Sequence, residues 1–141
     1  MRTAMIRALP ATTLLAVSLA APARAAVING TSGPDVLVGT QSADSIHGFG
    51  GKDTLRGSGG ADKLYPGDDS RKDVLRGGPG PDRISARTPD AVYAGAGNDT
   101  VRVLEIHGWE FPTIHCGPGR DTVIATYKGF GMSHCERMVA P

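Results

Sequence analysis

Nine aspartates punctuate the chain, at positions 35, 44, 53, 62, 73, 82, 90, 99 and 121. Each follows a short run that is mostly glycine-rich, and each is followed two residues on by an aliphatic: Leu37, Ile46, Leu55, Leu64, Leu75, Ile84, Val92, Val101 and Val123. The phrase is clearest in Gly48–Arg56, Gly57–Tyr65 and Gly77–Ser85. Carboxylates beside glycine-rich turns are hard oxygen donors, because such turns leave backbone carbonyls free to converge. Calcium takes about 6–8 oxygens at roughly 2.3–2.6 Å. One such loop cannot supply that set, whereas two stacked loops can.

The phrase resembles the RTX (haemolysin-type) calcium-binding nonapeptide repeat, G-G-x-G-x-D-x-U-x with U large and apolar. The resemblance spans residues 28–102, with an outlying copy at Gly117–Val123. It implies an all-β chain folded as a parallel β-roll, a right-handed β-helix or solenoid. It also implies Ca2+ held by Asp35, Asp44, Asp53, Asp62, Asp73, Asp82, Asp99 and Asp121 with the turns at Gly33, Gly51, Gly60, Gly80, Gly97 and Gly119. Asp90 is the weakest candidate, since Thr88 stands where the glycine should be. Asp68 and Asp69, in a stretched loop, are either further ligands or merely solvated, and solvated is the preferred reading.

The elements that would position these groups follow from the spacing. A three-residue strand such as Thr54–Arg56 turns its middle side chain inward and its flanking residues outward. Two nonapeptides then make one coil with a strand on each side. Loops two apart in sequence become neighbours, pairing Asp44 with Asp62 and Asp35 with Asp53. Letting the irregular stretches at 66–73 and 103–114 bulge puts Asp44, Asp62, Asp82, Asp99 and Asp121 on one edge. The other edge holds Asp35, Asp53, Asp73, Asp90 and, in a loop lacking its Asp, Pro112. Glycine stands two before Asp more often on the first edge, which is therefore expected to carry the more continuous row of ions. The rows of like charge make calcium binding and folding expected partners.

Four segments are expected. Residues 1–25 have a secretory leader's features: Arg2 and Arg7, an apolar run over Ala8–Ala21 and the cleavage motif Ala23-Arg24-Ala25. Residues 26–102 hold the repeats, 103–115 an irregular insertion around Trp109, and 116–141 a last repeat and a C-terminal cap, which an open solenoid end needs. Cys116 and Cys135, an even pair in an exported chain, read as a disulfide tying that cap down. On the chain-entropy model such a bridge stabilises by about 3 kcal/mol. Zinc held by His115, Cys116, His134 and Cys135 is the less favoured reading. His47 and His107 read as isolated and exposed.

Other classes fare worse. Without the leader's Arg2, Arg7 and Arg24, the 15 basic residues become 12 against 14 acidic, a net charge of −2. That is no nucleic-acid footprint, and the leader's apolar run is short for a membrane span. Serines 58, 85 and 133 lack a nucleophile elbow. The chain therefore reads as non-enzymatic, secreted and structural or surface-interacting, with the cell-surface or glycan partner unnamed. Two alternatives stand beside it: a polysaccharide-active enzyme on a β-helix, and a degenerate solenoid without metal. Aromatics clustered on one face would favour the enzyme, and the sequence offers Trp109, Phe111 and Tyr127 near one end. RTX repeats are associated with a C-terminal export signal, and the N-terminal leader read here departs from that pattern.

Overall fold

Parallel pairing between strands one coil apart builds two facing sheets. The computed structural model describes residues 5–7, 24–104, 111–125 and 131–140. Their strands are β1 (Met5–Arg7), β2 (Val27–Asn29), β3 (Val36–Val38), β4 (Ser45–His47), β5 (Thr54–Arg56), β6 (Lys63–Tyr65) and β7 (Val74–Pro79). The second half adds β8 (Arg83–Ala86), β9 (Ala91–Ala96), β10 (Thr100–Val103), β11 (Thr113–His115), β12 (Thr122–Ile124), β13 (Gly131–Ser133) and β14 (Arg137–Val139). One sheet runs β1-β2-β4-β6-β8-β10-β12-β14 and the other β13-β11-β9-β7-β5-β3. The result is an all-strand parallel solenoid, and no described residue is helical.

The short strands explain themselves. Each presents one aliphatic inward, and the two inward rows close a narrow dry interior. One row is Ile28, Ile46, Leu64, Ile84, Val101 and Val123; the other is Leu37, Leu55, Leu75, Val92 and Ile114. All are at most 5% exposed. Burying each such side chain is worth about 1.5–3 kcal/mol, while the flanking positions stay outside, as in the buried–intermediate alternation of Ser45–His47.

Both irregular stretches are absorbed without loss of register. Leu55 pairs with Leu75 across the longer loop at 66–73, and Val92 pairs with Ile114 across the stretch at 103–114. Ile114 is fully buried, as expected of the inward residue of a coil lacking its Asp. Residues 105–110 of the expected insertion, with Trp109 and His107, lie outside the described residues, as does Tyr127. The tail adds one more coil: β13 pairs with β11, β14 with β12, and Met132 and Met138 pack on the core. Cys116 and Cys135 form the expected disulfide, with Cα atoms 5.1 Å apart. Most of the leader (residues 1–4 and 8–23) lies outside the described residues, and its Met5–Arg7 pairs with Val27–Asn29.

Candidate metal-binding edges

At each turn the aspartate side chain folds back under the loop and is buried. Asp53, Asp62, Asp82, Asp90, Asp99 and Asp121 are each 1% exposed, and Asp35, Asp44 and Asp73 are 3–4% exposed. The close fit depends on glycine. A Cβ on Gly57, five residues before Asp62, would lie 2.2 Å from Asp62 Oδ2. The turns also stack tightly along the axis. A Cβ on Gly80 would lie 1.7 Å from the Gly60 carbonyl oxygen, and φ at Gly80 is +125°, a region that L side chains rarely occupy.

One carboxylate oxygen of each aspartate has a fixed structural task. On the first edge the amide of Asp44 donates to Asp62 Oδ1 (2.8 Å), that of Asp62 to Asp82 (2.8 Å), that of Asp82 to Asp99 (2.8 Å) and that of Asp99 to Asp121 (2.9 Å). On the second edge Asp35 donates to Asp53 (2.9 Å), Asp53 to Asp73 (2.7 Å) and Asp73 to Asp90 (3.1 Å). The two rows are those that the alternating assignment of loops predicts. Each bond joins one coil to the next, across sequence separations of 17 to 22 residues.

The second oxygen distinguishes the loops. Oδ2 of Asp53, Asp62, Asp82, Asp99 and Asp121 is buried with no hydrogen-bond partner. Asp35 Oδ2 instead accepts the Thr31 amide (2.6 Å) and hydroxyl (2.9 Å). Asp44 Oδ2 likewise accepts the Thr40 amide and hydroxyl. Asp90 Oδ2 takes the Arg87 amide at 2.8 Å. Backbone conformation four residues before Asp separates the two sets. All five loops with an orphaned oxygen carry a positive φ there: Phe49 (75°), Ser58 (86°), Gly78 (112°), Gly95 (117°) and Gly117 (98°). Thr31 and Thr40 do not, and their amides face the carboxylate.

Buried carboxylate oxygens without partners are costly, and the electrostatics reflect it. Asp53 and Asp62 are pushed up to about 6, and Asp73 and Asp82 to about 7, first by loss of solvent and then by neighbouring carboxylates. Asp90 and Asp99 are raised for the same leading reason. A divalent cation beside the orphaned oxygens would supply the missing partner and neutralise the row. The donor set is hard, all oxygen, as calcium requires. Among the described residues no three His, Cys, Asp or Glu side chains converge. Turn carbonyls must therefore complete any coordination shell. The residues present fit a calcium ion.

The model of the RTX calcium-binding nonapeptide repeat matches, in four copies, residues 29–64, 67–88 and 89–102, together just over half of the chain. The chain belongs to that family. As a member it is a calcium-binding repeat protein on a β-roll. No curated protein matches the chain, and no solved structure does.

Two readings of single residues change. Asp69 is not merely solvated, because its Oδ2 accepts the Gly51 amide of the adjacent coil at 2.7 Å. Asp68 pairs with Arg87 Nη2 at 2.6 Å. His47 is not an isolated exposed residue: its ring stacks on Tyr65, with centroids 4.7 Å apart, and on Phe49 at 6.1 Å. Sequence reasoning also passed over the positions four and five before Asp. Their signal was present in the doubled glycine that opens the motif, as in Gly77-Gly78.

Proposed function

We propose that the protein is secreted and that calcium, held between stacked turns on the two edges of the roll, is coupled to its folding, so that it works as a structural or surface-interaction module. The supporting observation is the row of orphaned oxygens on Asp62, Asp82, Asp99 and Asp121 along one edge, with Asp53 alone on the other. These would be the strongest ligands, with Gly60, Gly80, Gly97, Gly119 and Gly51 shaping the turns that offer carbonyls. Asp73 would contribute beside Asp53. Asp35, with the turn at Gly33, and Asp44 would give up a threonine amide to bind an ion, and so bind more weakly. The proposed leader is residues 1–25; its removal would take β1 away and leave β2 as the terminal strand. A disulfide fits an oxidising compartment, and no helix among the described residues is long and apolar enough to cross a membrane.

Catalysis by the aspartates is the poorer reading. A carboxylate pair that cleaves a glycan must reach its substrate, and none of these nine is more than 4% exposed. The test is calorimetric titration of the chain from Ala26 onward with calcium, beside circular dichroism. Calcium should convert a largely unfolded chain to β-structure. A spectrum identical in chelator and in millimolar calcium would refute the coupling.

A further inference from the structure

On the outward face of the β2-to-β14 sheet Asn29, His47 and Tyr65 pair rung to rung in a ladder. The register set by Lys63 with Arg83 and Leu64 with Ile84 puts Ser85 next, and Ser85 pairs with Arg102. Parallel strands set the rungs about 4.8 Å apart. His47 and Tyr65 fill two rungs with rings only 15° from parallel, so His47 takes one face of Tyr65. The next rung is Ser85, whose side chain is too short to reach the stack. The opposite sheet shows what an unbroken ladder looks like. There Arg76 lies 5.2 Å from the Tyr93 ring centroid, and Tyr93 stacks on His115 at 5.2 Å and 13°.

A cavity of 410 Å³ opens alongside the break, lined by His47, Tyr65, Ser85, Leu104, Phe49 and Asp68, among others. That size lies in the range of small-molecule sites. Two features give it binding character. Tyr65 and Leu104 stand on its walls yet remain 38% and 41% exposed, apolar surface left open beside the gap, across which the ladder resumes at Arg102. Polar groups ring the rest: the Ser85 hydroxyl, and the Asp68 carboxylate, which is 91% exposed and held by Arg87. Phe49 at the mouth is 54% exposed on a backbone with φ of 75°, unusual for a bulky residue.

We propose that this gap is a binding site for one pyranose ring of a saccharide, held on the free face of Tyr65. The electron-rich ring face suits the polarised C–H groups of a sugar with equatorial hydroxyls, whose two faces are flat and apolar. The hydroxyls project from the ring edge, where the Ser85 hydroxyl can donate or accept and the Asp68 carboxylate can accept hydrogen bonds. An ammonium ligand fits less well, because an aromatic cage needs rings at an angle to one another and these lie 15° and 27° from parallel. A purely apolar side chain would leave the polar rim unused.

The proposal needs the folded roll and so rests on calcium-coupled folding; the two fail separately, because folding is read by circular dichroism and sugar binding by calorimetry. The calcium-loaded chain is titrated with cellotetraose and with chitotetraose. At least one should bind with a dissociation constant of about 1 mM or tighter. Tyr65→Ala should weaken it at least tenfold. Ser85→Tyr, which fills the empty rung and continues the stack, should abolish binding while leaving the β-signal and its calcium dependence intact. Absence of binding by both sugars to a chain shown to be folded would overturn the proposal, as would undiminished binding by Ser85→Tyr.

Discussion

Replacing Asp82 by asparagine separates a ligand from a structural acceptor. Asp82 Oδ1 accepts the Asp62 amide at 2.8 Å, and Oδ2 has no partner. Asparagine keeps the first bond and removes the charge. In the metal-free roll the Asp82 carboxyl is pushed from 3.8 to about 7. Holding it ionised at pH 8 then costs up to roughly 4 kcal/mol relative to the unfolded chain. The new amide leaves its own N–H groups buried and unpaired, at a cost of about 1–3 kcal/mol. The metal-free variant should therefore be more stable than the parent by about 1–3 kcal/mol. In calcium the sign reverses. Any ion beside Oδ2 loses a charged ligand, and affinity should fall at least tenfold, about 1.4 kcal/mol. Both arms are measurable by circular dichroism, in chelator with trimethylamine N-oxide added to support the fold and in a calcium titration at the same pH. A variant less stable than the parent in chelator, with unchanged calcium affinity, would show that Asp82 is only a hydrogen-bond acceptor.

Three further outcomes are expected. Thr40→Gly removes the hydroxyl on Asp44 Oδ2 and lets the backbone there adopt the positive φ seen at Gly78; it should tighten the weakest calcium step and cost about 1 kcal/mol in chelator, and an unchanged titration would count against capping by Thr40. The carboxyls of Asp53, Asp62, Asp73 and Asp82 are raised in the fold, so their contribution is fully present below 3.8 and is lost as pH climbs through about 6 to 7; the metal-free chain should gain β-signal on acidification to pH 4 and lose it by pH 8, whereas calcium should reverse the trend because protons and ions compete for the same oxygens. Reducing Cys116–Cys135 should speed hydrogen exchange in β11 to β14 and leave β3 to β6 unaffected, since the bridge ties only the last coils; uniform loosening would contradict coil-by-coil stability.

Much of this was legible in the chain. An aliphatic two residues after each Asp, from Leu37 to Val123, locates the strands and their inward face. Counting aspartates through both irregular stretches assigns the edges correctly, because wherever the next coil has an Asp the amide meets its carboxylate whatever the length between. The identity of the orphaned oxygens was not legible. It turns on the residue four before Asp, where Phe49 and Ser58 adopt the left-handed conformation usually left to glycine while Thr31 and Thr40 do not. Nothing local in Phe49 or Ser58 announces that; contact with the neighbouring coil imposes it, as the Phe49 carbonyl lying against Gly67 shows. The aromatic ladder was hidden for a related reason. His47 and Tyr65 are 18 residues apart in sequence and adjacent only once coils stack.

The bonds between aspartates all point one way. The amides of Asp35, Asp44, Asp53, Asp62, Asp73, Asp82 and Asp99 are each capped by a carboxylate that occurs 17 to 22 residues later in the chain, while that of Asp90 donates back to the Arg87 carbonyl. A ribosome or a translocation pore delivers residues N-terminus first, so each of these seven turns emerges before the group that completes it. Closure must trail the growing end by one full winding. The windings around Asp121, where the described row of carboxylates stops, are the ones fastened covalently, by Cys116 and Cys135. The clasp thus sits where the row of carboxylates stops.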